Sequence, residues 1–190
     1  QSGSEVENLS DVANVLAGAN IGTTFHDTID FTDGGFPQGN RDDFVIKAGV
    51  PNMYGLVGAS ANAIAPGKRP LSSMSPTFIE GERGVAILGS PGGSYIPSMV
   101  LLGLMNWMDG ADATTIVTAP RLHHQFRPDS VFAEPAALSP DERSGLVGRG
   151  HSIQPWPATI GNLQVVTWDF DSGRVDAASD PRRAGGAMVR

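Results

Sequence analysis

Val85-Ala86-Ile87-Leu88 puts four apolar side chains in a row, bracketed by Gly84 and by Gly89-Ser90-Pro91-Gly92-Gly93-Ser94. Neighbouring side chains of a strand point to opposite faces, so an unbroken apolar run predicts a fully buried strand. Thr77 to Glu80, with Phe78 and Ile79, predicts its hairpin partner through the connection Gly81-Glu82-Arg83-Gly84. After the glycines, the sequence predicts a buried helix through Trp107, capped by Ser94 or Ser98, with Pro97 accommodated in the first turn and an apolar side facing the sheet. Paired glycines behind a buried strand let a ligand approach the backbone closely, and their successive amides can converge on one oxygen. The same pair also serves as a plain strand-to-helix turn.

The rest of the chain alternates irregular and regular stretches. Asp11 to Ala19 can form a short helix with Val12, Val15, Leu16 and Ala19 on one face, and Thr23 to Asn40 reads as loops or short strands. Val45 to Pro76 is loop-rich. Asp112 is placed to cap a helix that must end before Pro120, and Ser139-Pro140-Asp141-Glu142 has the capping-box pattern. Two further strands, Asn162 to Asp169 and Arg174 to Ala178, are joined by Asp171-Ser172-Gly173. With 24 glycines and 14 prolines in 190 residues, the chain is rich in turns but lacks the period of collagen. No repeat or linker divides it, so residues 1–190 read as one layered α/β or α+β unit.

Charge and composition exclude several functions. Thirteen basic against twenty acidic residues give a net charge of −7, without a basic run to neutralise phosphates, so nucleic acid is not expected as a partner. The absence of cysteine removes disulfides, thiolate catalysis and Cys-ligated metals. Met99 to Met108 falls short of the roughly 20 residues needed to span a bilayer, and Gln1 opens a polar segment without a secretion signal. A charged fraction of only 17% fits a surface partly covered by another chain. The adjacent His123 and His124 do not face one ion on regular structure, and Asp169 and Asp171 lack calcium-loop spacing. With no phosphate-binding loop or dinucleotide fingerprint either, neither metal nor cofactor is expected.

Two polar clusters can recognise a small molecule. Asn40-Arg41-Asp42-Asp43-Phe44 sets two carboxylates in a turn, where one can bind an ammonium group. Leu71-Ser72-Ser73-Met74-Ser75-Pro76-Thr77 offers hydroxyl donors suited to a carboxylate just before a strand. Taken alone, the first also reads as turn capping and surface charge, and the second as turn satisfaction.

Together these stretches carry a more specific signal. The Asn-Arg-Asp-Asp-Phe run at 40 to 44, Pro51-Asn52-Met53-Tyr54-Gly55-Leu56-Val57-Gly58, Pro66 through Thr77, Leu88-Gly89-Ser90-Pro91-Gly92-Gly93-Ser94, Ala119-Pro120-Arg121-Leu122-His123-His124-Gln125 and Ala178-Ser179-Asp180-Pro181-Arg182-Arg183 closely resemble the small subunit of γ-glutamyltranspeptidases from about Thr23 onward. The resemblance implies an N-terminal nucleophile hydrolase fold, a four-layer αββα sandwich completed by a large-subunit partner from the same self-cleaved precursor. It implies γ-glutamyl acyl transfer or hydrolysis on glutathione-like substrates through an acyl-enzyme, in a periplasmic or extracellular location. By the same resemblance, Asp43 binds the donor α-amino group with Asn40 beside it, at a position that usually carries Gln or Glu. Ser72 and Ser73 hold the α-carboxylate, while Gly92 and Gly93 form the oxyanion hole.

The sequence departs from that family at its start. The family uses an N-terminal Thr whose own amine activates its hydroxyl, whereas this chain opens on Gln1, and Ala17-Gly18-Ala19-Asn20-Ile21-Gly22 replaces a segment that usually carries another Thr and an Asn. The nucleophile is therefore unassigned, and residues 1–22 stand as an atypical N-terminal region. Three readings stay open: cleavage before Thr23, an altered N-terminus on an otherwise enzymatic subunit, or a homologue that binds γ-glutamyl compounds without turnover. A related amide acylase is a further alternative.

Overall fold

The computed structural model describes residues 47–52, 54–69, 72–156 and 161–189. The expected helix at 11–19 lies outside them, as do Asn40 and Asp43. The elements run β1 (Thr77–Gly81), β2 (Gly84–Gly89), α1 (Ile96–Met108), α2 (Ala113–Thr118), β3 (Leu122–His123), β4 (Val131–Ala133), α3 (Pro140–Gly148), β5 (Ile153–Pro155), β6 (Gln164–Asp169) and β7 (Val175–Ser179). The main sheet is antiparallel throughout, in the order β1-β2-β6-β7. A smaller sheet, β3-β4-β5, joins one antiparallel and one parallel pair. The result is α+β, with helices and strands segregated rather than alternating.

The apolar run forms the centre of the main sheet, and every residue of β2 is buried. Ala86 and Leu88 pack with Val165, Leu163, Trp107, Ala113, Ile116 and Val117 on the face covered by α1 and α2. Val85 and Ile87 point the other way, against Trp168. Burial on both faces is what a sandwich requires of an inner strand. Helix α1 comes close to the sheet because Gly103 has no side chain: a Cβ there would sit 2.8 Å from Leu88 Cδ2. Arg83, in the β1-β2 turn, donates to the carbonyls of Trp107, Gly110 and Ala111 and so satisfies the end of α1.

The capping box of α3 is present, with the Ser139 hydroxyl accepting from the Glu142 amide and Glu142 accepting from the Ser139 amide. Asp112 caps α2 as read, accepting from the Thr115 amide at 2.8 Å. The cap of α1 differs from expectation. The chain enters α1 through a 3₁₀ turn, Gly93–Tyr95, and Tyr95 at the N-cap already has near-helical angles, φ −78° and ψ −19°. No extended residue is left to fold a hydroxyl back on the first turn, so Ser94 and Ser98 point to other partners. Nor is α1 buried all round, because Leu101, Met105 and Met108 stay exposed on its outer side.

The two sheets are tied by a buried ionic network. Arg121, only 2% exposed, sets its Nη1 2.6 Å from Asp180 Oδ2 and donates from Nη2 to the Val117 carbonyl at 2.8 Å. Asp180 also accepts from the Leu163 and Arg182 amides, both at 3.0 Å. Arg182 forks onto both carboxylate oxygens of Glu134, at 2.8 and 2.7 Å, and reaches the Val117 and Ala119 carbonyls at the end of α2. Burial pulls the Asp180 carboxyl up, but the Arg182 amide, the Arg121 guanidinium and the Leu163 amide together hold it below its ordinary value.

Asp180→Asn leaves Arg121 buried without its counter-charge and is expected to destabilise the fold by about 3–5 kcal/mol, read from the urea midpoint. Because the native pKa of Asp180 is lowered, its contribution is complete above the unfolded value of about 3.9 and is lost as pH falls through the native value. The variant should therefore show a shallower acid-induced loss of stability than the parent.

Candidate functional site

Antiparallel pairing decides which segments meet. Thr77 lies opposite Leu88, Gly89 opposite Gln164, and Gln164 opposite Ser179. The start of β1, the end of β2, the start of β6 and the end of β7 thus share one end of the main sheet. The Ser72–Pro76 segment leads into that end and the Gly92-Gly93 turn leaves it. Ser90 secures the turn, its Oγ accepting from the Asn162 amide at 3.2 Å.

Both glycines adopt angles that disfavour a side chain, φ 136° at Gly92 and φ 55° at Gly93. Gly92 uses its carbonyl to accept from the Tyr95 amide at 3.1 Å. Among the described residues, neither glycine amide donates a hydrogen bond. Gly93 is also confined by Tyr54, since a Cβ at residue 93 would lie 2.3 Å from two atoms of the Tyr54 ring. Tyr54 sits in a loop closed by the Pro51–Val57 bridge, where Asn52 Oδ1 accepts from the Tyr54 and Leu56 amides. Its ring meets Tyr95 edge-on at 5.3 Å, and Tyr95 in turn meets His123 at 4.5 Å and Trp156 at 5.7 Å. Burial raises the Tyr95 phenol pKa, so the ring stays neutral.

The two histidines diverge. His124 is solvent-facing and pairs with Asp129 at 2.9 Å. His123 is buried, with Nδ1 2.8 Å from Ser98 Oγ and Nε2 3.0 Å from Gln125 Oε1. Gln125 Oε1 also accepts from Ser94 Oγ at 2.8 Å, while Gln125 Nε2 donates to the carbonyls of Tyr54 and Arg127 at 2.5 and 2.6 Å. Those two carbonyls fix which end of the carboxamide is nitrogen, so Oε1 faces His123 and makes its Nε2 the protonated nitrogen. Nδ1 then accepts from the Ser98 hydroxyl. Burial lowers the His123 pKa more than the Gln125 bond raises it, which keeps the ring neutral.

The serines sit at the edge of this end. Ser72 is exposed and accepts from the Met74 amide at 3.2 Å, and the Ser73 carbonyl accepts from Ser75 Oγ at 3.1 Å. Asp169 caps the β6-β7 turn through the amide and hydroxyl of Ser172. Among the described residues, no group of three or more His, Asp or Glu side chains is disposed to hold a metal, and no helix is long and apolar enough to cross a membrane.

Residues 21–190 match the γ-glutamyltranspeptidase family. The chain belongs to that family. It is 43% identical over 157 residues to a glutathione hydrolase proenzyme of Pseudomonas sp. strain A14, covering 78% of this chain and 27% of that protein. A glutathione hydrolase proenzyme of Escherichia coli K12 is 42% identical over 166 residues, covering 85% of this chain and 28% of the relative. The chain thus spans little more than a quarter of these relatives. The fold also matches the crystal structure of the T380A mutant of Helicobacter pylori γ-glutamyltranspeptidase, with a TM-score of 0.68 and 37% identity over 82% of this chain and 86% of that one. The α+β architecture is that of the matched γ-glutamyltranspeptidase structure.

In this chain, a reading of sequence alone leaves Tyr54 and Gln125 without a role of their own and takes Ser94 and Ser98 only as cap candidates. All fall in or beside the stretches that carry the family resemblance, yet their contacts join segments up to 71 residues apart, which no local pattern encodes. The His123 geometry has a direct test. Long-range proton–nitrogen NMR should find the His123 proton on Nε2 and its titration below the ordinary imidazole range; an Nδ1-protonated ring would overturn the assignment.

Proposed function

We propose that this chain is the small-subunit part of a two-chain γ-glutamyl transferase or hydrolase that acts on glutathione-like amides. The observation that carries the reading is a glycine turn whose two amides make no hydrogen bond among the described residues, leaving the same end of the sheet that the segment bearing Ser72 and Ser73 enters. An amide pair of this kind suits the oxygen of an attacked γ-carbonyl, where charge appears only as the tetrahedral intermediate forms. Ser72 and Ser73 are suited to the donor α-carboxylate, with Asp43 taking the α-ammonium and Asn40 assisting.

The chemistry follows from those roles. A hydroxyl nucleophile attacks the γ-carbonyl carbon and its proton passes to a base. The π electrons move to the oxygen that faces Gly92 and Gly93, and collapse of the intermediate expels the protonated amine to leave an ester. Water or an acceptor amine then attacks the ester and releases the γ-glutamyl product. The relatives named proenzymes, together with the small share of their length spanned here, support a large subunit from the same precursor as the source of the remaining groups.

The test is turnover of γ-glutamyl-p-nitroanilide by the protein made from its complete precursor, with the new N-terminal residue verified by intact mass. Turnover is expected, and its absence in the correctly processed protein would overturn the reading. Replacing either Ser72 or Ser73 by Ala should raise KM by roughly 10-fold or more, since each lost bond to a charged group is worth about 1.5–3 kcal/mol. If calorimetry shows glutamate binding while intact mass shows no acylation, the chain is a ligand-binding homologue instead.

A further inference from the structure

Glycine is a problem as well as a solution at an oxyanion site. With no Cβ, Gly92 and Gly93 reach the angles they need, but they reach many others almost as readily. A turn that presents two amides in one direction therefore needs an outside restraint, because donors that must reorient during the reaction lose much of their value.

We propose that Gln125 is a positioning residue that locks the Gly92-Gly93 turn in its donor-presenting conformation. Its carboxamide closes on Gly93 from two sides. On the chain side, Oε1 accepts from the hydroxyl of Ser94, the residue immediately after Gly93, at 2.8 Å. On the other side, Nε2 donates to the Tyr54 carbonyl at 2.5 Å, and the Tyr54 ring fills the space where a side chain on residue 93 would stand. The two remaining bonds anchor the clamp: Oε1 accepts from His123 Nε2 at 3.0 Å, and Nε2 donates to the Arg127 carbonyl at 2.6 Å. His123 is held in turn by Ser98, in the first turn of α1.

The carboxamide uses both donors and two acceptor directions, so no other side chain of similar reach reproduces it. Glutamate has the same shape but aims an oxygen at the Tyr54 and Arg127 carbonyls. Asparagine is one methylene too short to span the same three segments. Gln125 acts through Ser94 and Tyr54 and makes no claim on the substrate itself.

The proposal rests on the γ-glutamyl reading only for its kinetic consequence, and the experiment separates the two. In the protein made from its complete precursor, Gln125→Glu should speed hydrogen exchange by about 10-fold or more at the two hydrogen-bonded amides that report on the turn and its neighbour, those of Tyr95 and Tyr54. With γ-glutamyl-p-nitroanilide, kcat should fall by about 10-fold or more while KM stays within about 3-fold, because the donor is held elsewhere. Ser94→Ala should move both measurements the same way to a smaller extent, and Ser94→Thr, which keeps the hydroxyl, should restore them. If Gln125→Glu does not fold, the Ser94 pair decides. Unchanged exchange in the folded variants, or a change in KM with kcat preserved, overturns the clamp. A parent protein without turnover defeats the functional reading, and the exchange measurements still decide the clamp.

Discussion

The arrangement depends on one buried ion pair, Arg121 with Asp180. Asp180 follows β7 and binds the Leu163 amide just before β6, whereas Arg121 precedes β3 and holds the last turn of α2. The pair therefore fastens the main sheet to the start of the smaller one, at the same end from which the glycine turn emerges. Two charges this deep are costly to desolvate, and the cost is offset only where further hydrogen bonds satisfy the remaining lone pairs and protons. Arg182 and Glu134 provide them, so four charged side chains close into one network rather than two separate bridges. Such a network tolerates few alternative arrangements, which fixes where β3, and with it His123 and Gln125, lies against the glycine turn.

Much of this fold was legible because its signals are local. The hairpin Thr77 to Leu88, the caps at Asp112 and Ser139 and the final strand pair each depend on residues within a few positions of one another. The smaller sheet was not legible, because strands of two or three residues carry no measurable periodicity. The cap of α1 departs from its sequence pattern for a related reason. Ser94 and Ser98 have the composition of a cap, but their hydroxyls are engaged by Gln125 and His123, far away in sequence.

The candidate site divides in the same way. Gly92-Gly93 and Ser72-Ser73 could be picked out because glycine pairs after a buried strand and runs of hydroxyls are chemically conspicuous. The residues that shape the surroundings of the turn, Tyr54 and Gln125, are conspicuous in nothing except their contacts. Their role comes from a tertiary meeting of three loops that no local pattern encodes.

The exposed stripe on α1 has a colloidal consequence. Leu101, Met105 and Met108 follow i, i+4, i+7 spacing and so form a continuous greasy ridge along the helix. In water, two such ridges attract, while a net charge of −7 keeps separate copies of the chain apart. Screening shortens the reach of that repulsion to roughly 8 Å at physiological ionic strength and leaves the apolar attraction intact. Released alone into ordinary saline, this chain would sit close to the boundary between solution and self-association.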